Sequence, residues 1–145
     1  MRSQSHPSAN PWGLLLSVWL LAVAATLAAL FIGEVMGKTP CVLCWFQRIF
    51  MFPLAVMLTV ACYRADFAVW LYALPLAVIG WAIALYHSLL FMGVIPENLQ
   101  PCSAGTSCSG ADMLIFGSVP LPLLSLAAFT AIVLLLALIR RRTLV

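Results

Sequence analysis

Four long apolar stretches, joined by short polar connections, leave this chain very few ways to fold. They run from about Trp12 to Ile32, Trp45 to Tyr63, Phe67 to Met92 and Val119 to Ile139. A bilayer is crossed by about 20 helical residues, so each stretch is long enough to span one. Backbone exposed to lipid must satisfy its own hydrogen bonds, and all four are therefore predicted to be helices. Composition points the same way. The chain is 65% hydrophobic and 8% charged, whereas a soluble domain carries roughly 25% charged residues. Too little polar surface exists to cover an apolar core, and lipid must solvate much of the molecule. The expected fold is all-α, an integral membrane four-helix bundle forming a single domain over residues 1–145.

The first stretch is expected to stay in the mature protein. It exceeds the 7 to 15 or so apolar residues of a signal peptide, although its second half is alanine-rich. Lysine and arginine then set the orientation. Arg2, Arg64 and Arg140 to Arg142 fall at the N-terminus, the 2–3 connection and the C-terminus, which four spans place on one side. Lys38 and the membrane-edge Arg48 lie towards the other. Both termini are thus expected in the cytoplasm. The connections from about Gly33 to Cys44 and from Gly93 to Ser118 are expected to face outward. Arg64-Ala65-Asp66 is so short that spans two and three must be antiparallel neighbours. Pro53 and Pro75 fall inside spans, where membrane helices tolerate them as kinks. There is no internal repeat. The net charge of +3 comes mainly from the C-terminal arginines, and no basic stripe with interleaved aromatics supports nucleic-acid binding.

The five cysteines sort by side. Cys41 and Cys44 form a C-x-x-C in the first outward connection, and Cys102 and Cys108 lie in the second. Cys62 sits alone near the cytoplasmic end of span two and reads as a small apolar residue. Four thiols thus lie where disulfides persist. Ahead of the first pair, Thr39 suits a helix N-cap and Pro40 the first helical position. That reading puts both cysteines in the opening turns of span two, where the positive end of the helix stabilises a thiolate. Regular helical Cβ atoms three positions apart are about 5–6 Å from each other, and a disulfide wants about 3.8 Å. Closing Cys41–Cys44 must tighten or fray the turn, which suits an easily reduced working bond. Between Cys102 and Cys108, Gly105 and small polar residues predict an exposed, mobile loop. Such a loop gives the in-line access to sulfur that thiol–disulfide exchange needs. Two pairs of this kind make a relay.

Arg48 follows Cys44 by four positions, on the same helix face. An arginine in a span costs about 2.5–3.5 kcal/mol if central and less near the boundary, where it snorkels. Its plain alternative is an interfacial anchor; beside Cys44 the favoured reading is functional, stabilising a Cys44 thiolate or donating to a carbonyl oxygen of a bound quinone. His87, late in span three, is a packed or interfacial histidine by position alone, or a donor to the same ring. Trp45 and Phe46 are interface aromatics, and Asp112 to Phe116 a short stretch on the outer surface.

Pro40-Cys41-Val42-Leu43-Cys44-Trp45-Phe46-Gln47-Arg48 resembles the P-C-x-L-C-x-x-x-R signature of the DsbB family of disulfide-bond formation proteins. The run from Pro101 to Gly110, with Cys102 and Cys108, looks like the compact second loop of its BdbC-like branch. The resemblance extends from about residue 12 to 140. It implies a four-helix bundle in the cytoplasmic membrane that reoxidises a DsbA-like thioredoxin-fold protein at the expense of ubiquinone or menaquinone, a chain of transfers known for the family. Carried onto this chain, it makes Cys102 the sulfur attacked by the partner, Cys108 the thiol that exchanges with Cys41, and Cys44 the thiolate facing the quinone. Arg48 and His87 would stand beside that quinone. The spacing from Cys102 to Cys108 leaves no room for the amphipathic segment of the long-loop members, so the order of exchange can differ.

Three other readings compete. A scaffold with two structural disulfides explains the cysteine sides but not a C-x-x-C with Arg48 one turn below. A quinone or vitamin K epoxide-type reductase shares the elements but places its C-x-x-C near the last span. Four thiolates can hold zinc, yet the C-x2-C and C-x5-C spacings are unusual for it and the compartment is oxidising, so no metal is expected.

Overall fold

The computed structural model describes residues 10–96, 114–115 and 118–144. Four long helices dominate it: α1 (Pro11–Leu30), α2 (Val42–Arg64), α3 (Trp70–Phe91) and α4 (Leu121–Thr143). All four are long and apolar enough to cross a membrane. The expected four-helix membrane bundle is the fold. Each helix packs on the next, and α4 closes the ring against α1.

Local chemistry explains the ends. Asn10 caps α1 by accepting from the Trp12 amide, with Pro11 opening the helix. α1 does not stop cleanly but widens into a π-helical turn, Phe31–Val35. α2 ends on Ala65, whose φ of 51° reverses the chain as a glycine usually would. Asp66 then accepts from the Ala68 amide at 2.9 Å and starts the single 3-10 turn that leads into α3. α2 and α3 run on through Pro53 and Pro75. Arg140 to Arg142 form the last turn of α4, and the Arg140 guanidinium lies over the Trp70 ring.

The core follows helical spacing. Leu15, Val18 and Ala22 face inward from α1, Leu54, Leu58 and Ala61 from α2, and Phe129, Ile132, Leu136 and Ile139 from α4. α3 contributes small residues instead, Ala73, Ala77, Gly80 and Ala84. Small residues let membrane helices approach closely. At Gly80 the approach is complete, because a Cβ there would collide with the Phe129 ring. Two hydrogen bonds tie neighbours within the apolar layer. The Trp19 indole donates to Thr59 at 2.8 Å, and the Trp81 indole to Thr130 at 2.9 Å. Outward, Leu20, Val56, Leu71, Ile79 and Leu134 stay exposed, as lipid-facing side chains should.

Two short strands precede α4. β1 (Leu114–Ile115) pairs antiparallel with β2 (Val119–Pro120), in the register Leu114 with Pro120 and Ile115 with Val119. The surface stretch expected at Asp112 to Phe116 therefore includes a strand, its other residues lying outside those described. Lys38 reaches across to donate to the Leu114 carbonyl at 2.8 Å. The two connections at this end of the bundle are thereby joined.

Candidate active site

The start of α2 differs in one respect from the expectation. Cys41, not Thr39, is the N-cap, and Pro40 stands outside the helix. The Cys41 carbonyl accepts the first helical bond from the Trp45 amide at 3.1 Å. Burial sets this register. Cys41 is 2% exposed, packed with Leu43 and Leu90 beneath α3, and such packing outweighs a local cap worth about 1 kcal/mol. The consequence is chemical. At the N-cap the backbone is extended, with ψ at 168°, so the side chain leans back over the first turn. Cys44, three positions on, meets it there. Their sulfurs lie 3.2 Å apart as thiols, without the helical frame holding them at the wider spacing of interior positions.

The two sulfurs face different surroundings. Cys41 looks towards α3, where His87 Nε2 is 3.8 Å from its Sγ. His87 is fully buried, and its Nδ1 is 3.1 Å from the Gln47 amide nitrogen. With that amide donating to Nδ1, a neutral ring carries its proton on Nε2, facing the Cys41 sulfur. Cys44 instead borders a cavity of about 500 Å³ between α1, α2 and α4. That volume is within the range of small-molecule sites. Alanines make the room: Ala24 and Ala28 from α1, Ala127 and Ala131 from α4. Ala24, Ala28 and Ala127 remain exposed, so the cavity opens sideways, at the level of the apolar layer. Gln47, Arg48 and His87 supply polar groups along the wall that holds Cys44.

Arg48 is folded back rather than extended to solvent. Its Nη2 donates to the Ala29 carbonyl at 2.7 Å, and its guanidinium lies 5.6 Å from the Trp45 ring centre. Gly33, in the π-helical turn, makes this possible, since a Cβ there would lie 2.9 Å from Nη2. The positive charge is therefore anchored at the cavity edge by backbone and by an aromatic face.

Of the residues singled out by sequence, Cys41, Cys44, Arg48 and His87 come together. Cys102 and Cys108 lie outside the described residues. Cys62 packs at the far end of α2, where its thiol faces the Leu15 carbonyl at 3.6 Å. Gln47 and the alanine faces were missed. Gln47 did carry a signal, as an uncharged polar residue one turn below Cys44 in an apolar span. The alanines of α1 and α4 carried none that separates a cavity from ordinary helix packing.

The family model for disulfide bond formation protein DsbB matches residues 11–139 of this chain. The chain belongs to the DsbB family. Among its DsbB-family relatives, a probable disulfide formation protein of Metapseudomonas resinovorans is 64% identical over 95% of this chain and 96% of its own. Disulfide bond formation protein C of Bacillus subtilis is 37% identical, covering 84% of this chain and 88% of that one. A probable disulfide formation protein of Chlamydia pneumoniae is 38% identical over 85% and 88%. No solved structure matches the chain. As a DsbB-family member with four membrane-crossing helices, the chain is a multi-pass membrane protein.

Proposed function

We propose that this chain is a protein-dithiol:quinone oxidoreductase that generates disulfides outside the cytoplasm. It reoxidises a DsbA-like thioredoxin-fold protein through two cysteine pairs and delivers the electrons to membrane ubiquinone or menaquinone. The observation that carries this reading is the placement of Cys44. One sulfur of the C-x-x-C borders a laterally open apolar cavity, with Arg48 fixed at its edge.

The residues present fit a quinone. The cavity admits an apolar ring from the lipid side, and Gln47, Arg48 and His87 offer donors to ring oxygens. When bound, a quinone supplies a two-electron, two-proton acceptor beside Cys44. The chain's own part is thiol–disulfide exchange. A partner thiolate attacks Cys102 of the Cys102–Cys108 disulfide, forming a mixed disulfide and freeing Cys108. The partner's second thiol resolves that bond and leaves as a disulfide. Cys108 then attacks Cys41 of the Cys41–Cys44 disulfide, and Cys44 departs as a thiolate. Cys102 closes again with Cys108 and frees Cys41, whose sulfur faces His87 Nε2 at 3.8 Å. Arg48 sets a fixed positive charge on the side of the cavity where Cys44 becomes anionic.

The names of the relatives, all disulfide formation proteins, support the direction of the reaction. Both termini would lie in the cytoplasm, with the cysteine connections on the periplasmic or equivalent outer face of the cytoplasmic (inner) membrane, and the whole chain forming one domain. The test is turnover in detergent with a reduced DsbA-like protein and a ubiquinone or menaquinone analogue, followed by quinone absorbance. Catalytic quinone loss that disappears in Cys44→Ser is expected. Equal quinone loss in that variant, or none in the wild type with either quinone, would overturn the proposal.

A further inference from the structure

Cys41, Cys44 and His87 form a compact cluster of potential ligand atoms. Among the described residues, their ligand-forming atoms all lie within 4.8 Å of one another. The two sulfurs are 3.2 Å apart, and Cys41 Sγ is 3.8 Å from His87 Nε2. A tetrahedral zinc ion, with bonds of about 2.3 Å to sulfur and about 2.0 Å to nitrogen, holds neighbouring donors roughly 3.5–3.8 Å apart. Small adjustments turn this cluster into such a set.

We propose that the dithiol form of this centre binds one zinc-class divalent cation through Cys41 Sγ, Cys44 Sγ and His87 Nε2. Two thiolates and an imidazole are soft and borderline donors, which select zinc-like ions over magnesium or calcium. Gln47 completes the site. Ligation at Nε2 requires the ring proton on Nδ1, and the Gln47 amide, turned over, accepts it with its oxygen. That is the outer contact which orients most metal-bound histidines. Cys44 and His87 both border the cavity, so the fourth coordination position opens on that side. Four thiolates drawn from both cysteine pairs make a poorly spaced zinc set. Two thiolates and a histidine already gathered by α2 and α3 make a better one.

No electron moves in this step. The two thiols release their protons, two sulfur–metal bonds and one nitrogen–metal bond form, and the cation neutralises the thiolates. While it is held, Cys41 and Cys44 cannot form a disulfide, so the cation locks the centre reduced until a chelator removes it. This site needs only the dithiol and His87, and it stands whether or not quinone is the acceptor.

The experiment is anaerobic titration of the full-length, phosphine-reduced protein in detergent with cobalt(II), read by absorbance. Expected are uptake of one equivalent, thiolate-to-cobalt charge-transfer bands, intense tetrahedral d–d bands and displacement by zinc. The oxidised wild type should bind none, a comparison that needs no variant to fold. Cys62→Ser and the double variant Cys102→Ser/Cys108→Ser should bind as the wild type does. His87→Ala should weaken binding by tenfold or more, and Gln47→Leu by about 10–100-fold. Absence of the charge-transfer bands in the reduced wild type would overturn the proposal. So would undiminished affinity in His87→Ala, or loss of uptake in the double variant, which would point to a four-thiolate site.

Discussion

At the scale of single residues, the site depends on a buried polar pair that no local rule produces. His87 is fully enclosed and its Nδ1 meets the Gln47 amide at 3.1 Å. Replacing Gln47 with leucine leaves that nitrogen without its partner, at a cost of about 1–3 kcal/mol. Gln47→Leu is thus expected to lower the thermal midpoint in detergent and to slow reoxidation of the Cys41–Cys44 dithiol by quinone. Circular dichroism and stopped-flow absorbance read the two effects, and unchanged values of both would show that the pair positions nothing. The pair also marks what the sequence conceals. Cys44 and Arg48 share a helix face by spacing alone, so their association was legible. His87 lies 46 positions from Cys41 and 40 from Gln47. Only the packing of α3 on α2 brings it within 3.8 Å of the Cys41 sulfur, a contact that spacing along the chain does not encode.

Among the elements, hydropathy sufficed to find the helices but not to place their ends. A chain whose helices are apolar on every side shows where lipid is, not which face turns inward. The start of α2 was displaced to Cys41 by burial beneath α3, a tertiary effect that Thr39-Pro40 does not encode. The π-helical turn after α1 was equally hidden, although Gly33 within it makes room for Arg48. The alanine faces of α1 and α4 acquire meaning only once the helices stand side by side. They leave a cavity where larger residues would close it. Ala128, on its α4 wall, provides the check. Ala128→Phe should raise the KM for quinone by roughly tenfold or more, an overpacking effect of about 1–3 kcal/mol, while exchange with the partner protein proceeds at its usual rate. Steady-state kinetics with each substrate varied separates these. An unchanged KM would place quinone elsewhere.

For the molecule as a whole, topology decides which partners each cysteine can meet. The bundle puts Gly33 to Cys44 at the same end as β1 and β2, joined by Lys38 and Leu114. Asp66 and Arg140 to Arg142 lie at the other end. In intact cells, Met36→Cys should react with a membrane-impermeant maleimide, and Asp66→Cys only after lysis, both in a background without native cysteines. The reverse pattern would turn the bundle over and put the C-x-x-C in the cytosol. The central claim, that the Cys41–Cys44 dithiol gives its electrons to quinone, has a more direct test. The reduced Cys102→Ser/Cys108→Ser protein is mixed without oxygen with a limiting quinone, and both products are measured. Quinone reduced in equal amount to a Cys41–Cys44 disulfide found by peptide mass spectrometry is the predicted result. Quinone left intact beside a persistent dithiol would contradict it.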